Sequence, residues 1–158
     1  MAFKISVINA FERSIIMPKI YFSLRQANEL VKRIRKDVEL LSDLNEQLSM
    51  LDNTKIEFDD DSMENFLLEV ELNRHFHEKN VEMYTLLGSL IRQGCVVRDL
   101  EKMEIDFYSK HSEKEIVLCW RASEEHVMFW HYPKEGLEKR RSVKELEDAY
   151  LEKLDRLK

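Results

Sequence analysis

From Leu24 to Leu51 the chain carries an apolar residue every three or four positions, and no other pattern in its 158 residues restricts the fold so tightly. Leu24, Ala27, Val31, Ile34, Val38, Leu41 and Leu48 alternate steps of three and four as a coiled-coil seam does, with Asn45 at the one polar seam position. A second row through Leu30, Leu40, Leu44 and Leu51 widens the stripe beyond what one neighbouring helix covers. At 1.5 Å per residue the helix is a rod about 40 Å long. Pro18 opposes its extension upstream, and Ser23-Leu24-Arg25-Gln26 reads as a capping box that starts it.

Asp52-Asn53 and Asp59-Asp60-Asp61 form the connection to a second helix, capped by Asp61 or Ser62. That helix carries Met63, Phe66, Leu67, Val70, Phe76, Val81, Tyr84, Leu87 and Ile91 and stops at Gly94, with a kink or local exposure expected around Arg74-His75-Phe76-His77-Glu78. Two long helices joined in this way make an antiparallel hairpin. With only three glycines and two prolines, most of the chain is expected in regular elements.

After Gly94 the apolar period changes from helical to two, the period of strands. Cys95–Arg98, Ile105–Tyr108, Ile116–Arg121 and His126–Tyr132 predict a small, mostly antiparallel sheet, closed by Pro133 and Gly136. Ser142-Val143-Lys144-Glu145 is a second capping box, and Leu146, Ala149, Tyr150, Leu154 and Leu157 define a terminal amphipathic helix. The expected fold is α+β: a helical hairpin over 21–93, a sheet over 95–132 and a helix over 142–157, one domain (21–158) after an N-terminal extension (1–20).

A formal charge of -6 argues against a nucleic-acid backbone as partner. Lys32-Arg33-Arg35-Lys36 and Lys139-Arg140-Arg141 with Lys144 are therefore read as solvated basic faces. Cys95 and Cys119 are too few for a disulfide framework, no apolar run approaches the ~20 residues that span a bilayer, and no secretory leader pattern is present. These features point to a cytoplasmic protein with no membrane partner.

Cys119-Trp120-Arg121, Glu124, Trp130-His131, Gly136 and Arg140, with Asp99 and Ile105-Asp106-Phe107 upstream, resemble the prokaryotic family known as domain of unknown function 2203. Tyr21-Phe22-Ser23-Leu24 with Ala27-Asn28 is similar to that family's opening, so the resemblance runs from about Tyr21 to Arg140. It implies that these residues form one unit and that residues 1–17 are an extension, or an upstream start with Met17 as the family-like first residue. It implies no activity. Met103 and Ser123 stand where the family usually has glycine, which puts any left-handed geometry at those turns in question.

The candidate site lies where aromatic, basic and imidazole groups converge. Arg121, Arg140, Arg141, His131, Asp106 and Glu124 are expected to form a polar pocket on the sheet, walled by Trp120 and Trp130. A small anion is the natural guest, since guanidinium pairs carboxylate or phosphate bidentately. The competing reading is structural: buried arginine–carboxylate pairs, Arg121 with Asp106 or Glu124, and a hydrogen-bonded histidine that complete the sheet. Whether Arg121 and His131 share a face depends on the turn, a four-residue turn separating them and a three- or five-residue turn uniting them. Asp106, Glu124 and His131 as a metal site, Glu71 with His75 as a chelate, and Cys119 as a nucleophile with His131 as base all lack diagnostic spacing, so neither a metal nor a cofactor is assigned. The expected function is a non-enzymatic module that forms a homo-oligomer through its helices and binds a small anionic ligand or a protein partner. The alternative is an enzyme with a His131/Arg121 acid–base and anion site, metal-assisted through Asp106.

Overall fold

A computed structural model describes residues 18–53, 62–147 and 156. Two helices of equal length, α1 (Leu24–Asn53) and α2 (Met63–Arg92), precede five strands. These are β1 (Cys95–Asp99), β2 (Glu104–His111), β3 (Lys114–Arg121), β4 (Phe129–His131) and β5 (Arg141–Ser142), hydrogen-bonded in chain order with every named pair antiparallel. The chain is α+β, as its patterning predicts. Residues 144–147 open the terminal helix, and the N-terminal extension through residue 17, the acidic connection 59–61 and residues 148–155 of the expected terminal helix lie outside the described residues.

Both helices of the hairpin start at capping residues. Ser23 Oγ accepts from Gln26 N while Gln26 Oε1 accepts from Ser23 N, the reciprocal pair of a capping box. Ser62, rather than Asp61, caps α2 by accepting from Asn65 N. Gly94 adopts φ +91°, and a Cβ there would stand 2.9 Å from Ile20 and from the Phe22 ring, so glycine is required for conformation and for space. Those neighbours are present because the segment entering α1 docks on the sheet. Beyond Phe107, opposite Cys95, the edge of β2 is free of β1, and Phe22 N donates to Tyr108 O while Ser109 Oγ donates to Phe22 O. Lys19 and Tyr21 both bond Glu115.

The core is one cluster built from the stripe of α1 and one face of the sheet. Ala27, Leu30, Val31, Ile34, Val38 and Leu41 are buried with Ile105, Phe107, Leu118, Trp120 and Trp130. Met103 joins this core at φ +47°. A left-handed residue costs roughly 1–2 kcal/mol, whereas burying a methionine side chain is worth about 1.5–3 kcal/mol, so burial offsets the strained conformation of Met103. Ser112 and Glu113 also take positive φ as the two-residue turn of the β2–β3 hairpin.

Two details of the sheet differ from expectation. His126, Val127 and Met128 belong to the connection and not to β4, because Asn28 Oδ1 of α1 accepts from Val127 N and holds this segment against the helix. Arg141 and Ser142 form a fifth strand, and Ser142 Oγ accepts from Lys144 N rather than making a full capping box. α2 is continuous through residues 74–78, where Arg74, His75 and His77 are exposed. Among the described residues no helix is long and apolar enough to cross a membrane.

Candidate functional site

The sheet has two unlike faces. Trp120 and Trp130 lie on the helix-facing side with Ile105, Phe107 and Leu118, so they do not wall a pocket with Arg121 and His131; they are core. Their indole N–H groups donate to the Glu124 and Ser142 carbonyls, and Arg35 of α1 stacks on the Trp120 ring. Arg35 also donates to the carbonyls of Ala122, Glu124 and Glu125, clasping the connection after β3. It is therefore not part of a solvated basic face.

The opposite face is polar and largely buried. Register places Glu104 opposite Arg121, Asp106 opposite Cys119, Cys119 opposite Phe129, and Val117 opposite His131. Arg121 and His131 share this face because the connection 122–128 has an odd number of residues. They stand at opposite ends of it, however, since β3 and β4 run antiparallel. The expected meeting of Arg121 and His131 in one pocket is corrected by this register.

Arg121 Nε donates to Glu104 Oε1 at 2.7 Å, and Glu104 is fully buried. The expected partners were Asp106 and Glu124; the register sets Glu104 across from Arg121 and leaves Asp106 two residues further along β2. Glu124 instead accepts from the Arg121 backbone N–H and from Arg140, at 2.9 and 3.1 Å to its two oxygens. The Arg140 guanidinium also sits 4.2 Å over the Phe129 ring. Arg141 pairs with Glu135, whose carboxyl is held down to about 2, mainly by the Arg141 hydrogen bond. Each sequence-selected arginine is thus matched to a carboxylate. A groove lies elsewhere, between the start of α1, the hairpin end of β2–β3 and residues 146–147.

Asp106, Cys119 and His131 do converge. All three are buried, and one ligand atom from each lies within 4.8 Å of the others. Asp106 Oδ2 is bonded by Arg98 at the edge of the face, while Asp106 Oδ1 and His131 Nε2 have no hydrogen-bond partner. His131 Nδ1 lies 2.8 Å from the Tyr132 carbonyl and must donate to it, since a carbonyl only accepts. The Asp106 carboxylate, 3.7 Å from Nε2, raises the affinity of His131 for protons against the opposing effect of burial. Burial pushes the Cys119 thiol up to about 12, which leaves no thiolate near neutral pH to act as the nucleophile the sequence allowed. Glu124 is not in this group, and Glu71 is bonded to Arg74 rather than set up with His75 as a chelate. Sequence reasoning missed Glu104, Arg98 and Arg35. Only the hairpin register could have found Glu104, and no signal marked the other two.

A helical hairpin whose first helix backs a five-stranded antiparallel sheet, with a buried polar cluster on the sheet's far side, defines an α+β module. The chain belongs to the family of uncharacterized conserved proteins designated DUF2203, which it matches over residues 20–143. No curated protein and no solved structure matches it.

Proposed function

We propose that the protein is a non-enzymatic cytoplasmic assembly module in which α2 pairs with α2 of a second copy. The observation that carries this is a second apolar stripe on α2. Its inward row, Leu72, Phe76, Met83, Leu86, Leu87 and Leu90, is buried or half-buried. Offset by about 200°, on the far side of the same helix, Met63, Leu67, Val70, Val81, Tyr84 and Ile91 are all exposed. Their positions keep alternating steps of four and three through Arg74, His77 and Gly88, the 3.5-residue period of a seam that meets another helix. The row forms two exposed apolar patches, Met63 to Val70 and Val81 to Ile91, parted by Arg74 and His77, and exposed apolar patches of this kind mark interaction surfaces. A two-fold pairing covers the strip with its own copy and requires no other partner.

The two buried, unpaired cysteines agree with a reducing compartment. An anionic ligand at Arg121 or Arg140 has weaker support, because each is already neutralised by a buried or nearly buried carboxylate. Catalysis by His131 beside Arg121 loses its geometric basis with the two at opposite ends of the face. Light scattering over a dilution series tests the assembly: twice the chain mass is expected at tens of micromolar, within the range of weak association, and a monomer at that concentration rejects the reading.

A further inference from the structure

We propose that Asp106, Cys119 and His131 form a binding site for a divalent transition-metal ion of the zinc class, buried in the polar face of the sheet. The three come from three adjacent strands and point to the same side by register, so the sheet itself fixes their spacing. Zinc bonds of about 2.0–2.3 Å in tetrahedral geometry set donor atoms roughly 3.5 Å apart. Asp106 Oδ2 and His131 Nε2 are already 3.7 Å apart, and the whole set falls within 4.8 Å.

A second observation concerns the lone pairs. With Nδ1 donating to the Tyr132 carbonyl, the neutral imidazole presents a bare Nε2 inward, and a backbone carbonyl in that role is the usual support of a metal-bound histidine. Nε2 and Asp106 Oδ1 are both buried without a hydrogen-bond partner, a cost that a metal ion between them, or a proton on Nε2 facing Asp106, relieves. Carboxylate, imidazole and thiolate together suit zinc, cobalt(II) or iron(II) and do not suit magnesium or calcium. On binding, the S–H bond of Cys119 breaks, a sulfur–metal bond forms, and the proton leaves to solvent. Three protein ligands would leave a fourth position for water or a ligand, and Arg98, bonded to Asp106, is the partly exposed cation next to this cluster.

The full chain, stripped with chelator and titrated with cobalt(II), tests this. The expected result is one equivalent bound, a near-ultraviolet thiolate-to-cobalt charge-transfer band, intense visible bands of a tetrahedral ion, and displacement of all of them by zinc. Cys119→Ser is expected to remove the charge-transfer band and weaken binding at least tenfold, while Cys95→Ser, altering a buried cysteine on the other face, keeps the band. If Cys119→Ser fails to fold, proton release from the unaltered protein decides: one proton or more per zinc, from the Cys119 thiol and from any imidazolium, supports the site, and none overturns it. Absence of the charge-transfer band in the parent chain, or a band that survives Cys119→Ser, also overturns it and leaves a buried imidazolium–carboxylate pair as the reason for the cluster.

Discussion

α1 and α2 each span thirty residues, yet α1 buries eight apolar side chains and α2 only Leu87 and Leu90. The difference does not come from apolar content, because α2 is at least as rich in Met, Phe, Leu, Val and Tyr. It comes from how those residues are divided. α1 gathers its apolar residues on one broad stripe that faces the sheet and α2 together, whereas α2 splits them between two opposite sides, one of which is exposed among the described residues. A helix that is apolar on two sides is stable in water only when both are covered. The comparison therefore separates residues that hold the chain together from residues that, under the proposed assembly, a second copy would cover.

Substitutions in the two helices should diverge accordingly. Ile34→Ala or Leu41→Ala, each opening a cavity in the core of α1, is expected to cost about 2–5 kcal/mol, read as a fall in denaturant midpoint that does not vary with protein concentration. Val81→Ala or Leu67→Ala should change the stability of the dilute protein by less than about 0.5 kcal/mol. A loss from Val81→Ala as large as that from Ile34→Ala would break the distinction.

The far face of the sheet makes a third kind of region, buried yet polar. Arg121→Met strands the fully buried Glu104 carboxylate, and the expected loss is roughly 3–5 kcal/mol, checked by chemical unfolding at neutral pH. A loss below 1 kcal/mol would show that Glu104 is relieved by another group and that Arg121 is free for a ligand. At the start of α1, Ser23→Ala removes one half of the capping box and should cost about 1 kcal/mol, the helix otherwise remaining intact by circular dichroism.

The smallest expected effect is at the rim. Glu135 is held at about 2 by Arg141, below the ordinary value of roughly 4.3. A depressed carboxylate contributes stability that is complete above its unfolded value and is lost as pH falls through its folded one. The contribution should fade between about pH 4.3 and pH 2, and Arg141→Met should flatten that part of the melting-temperature profile relative to the parent. An unchanged profile would mean that this half-buried pair is inert.

The hairpin, its caps and the antiparallel sheet were legible in the sequence because period and capping are local signals. Leu24 through Leu48 and Ser23 with Gln26 carry them without reference to anything distant. The site was only half legible. Asp106 and His131 were singled out, but their partnership with Cys119 depends on a strand register set by the Ser112–Glu113 turn and by a connection that Asn28 and Arg35 of α1 hold in place. Trp120 and Trp130 read as site walls because dipeptides such as Cys119-Trp120 and Trp130-His131 sit together in sequence, while alternation in a strand sends neighbours to opposite faces. The second stripe of α2 went unseen for a related reason: a list of its apolar residues does not reveal that they fall into two rows until α1 is seen covering one of them.

The central claim is that the outer side of α2, and not the outer side of α1, is an interface. Sedimentation equilibrium on two single-charge variants, Val81→Glu on α2 and Leu40→Glu at the exposed leucine of α1, compares these surfaces directly, with circular dichroism to confirm that each variant is folded. The account predicts a dimer for the parent and for Leu40→Glu and a monomer for Val81→Glu, with at least a tenfold rise in dissociation constant, about 1.4 kcal/mol. Equal masses for the two variants, whether both dimeric or both monomeric, would contradict it.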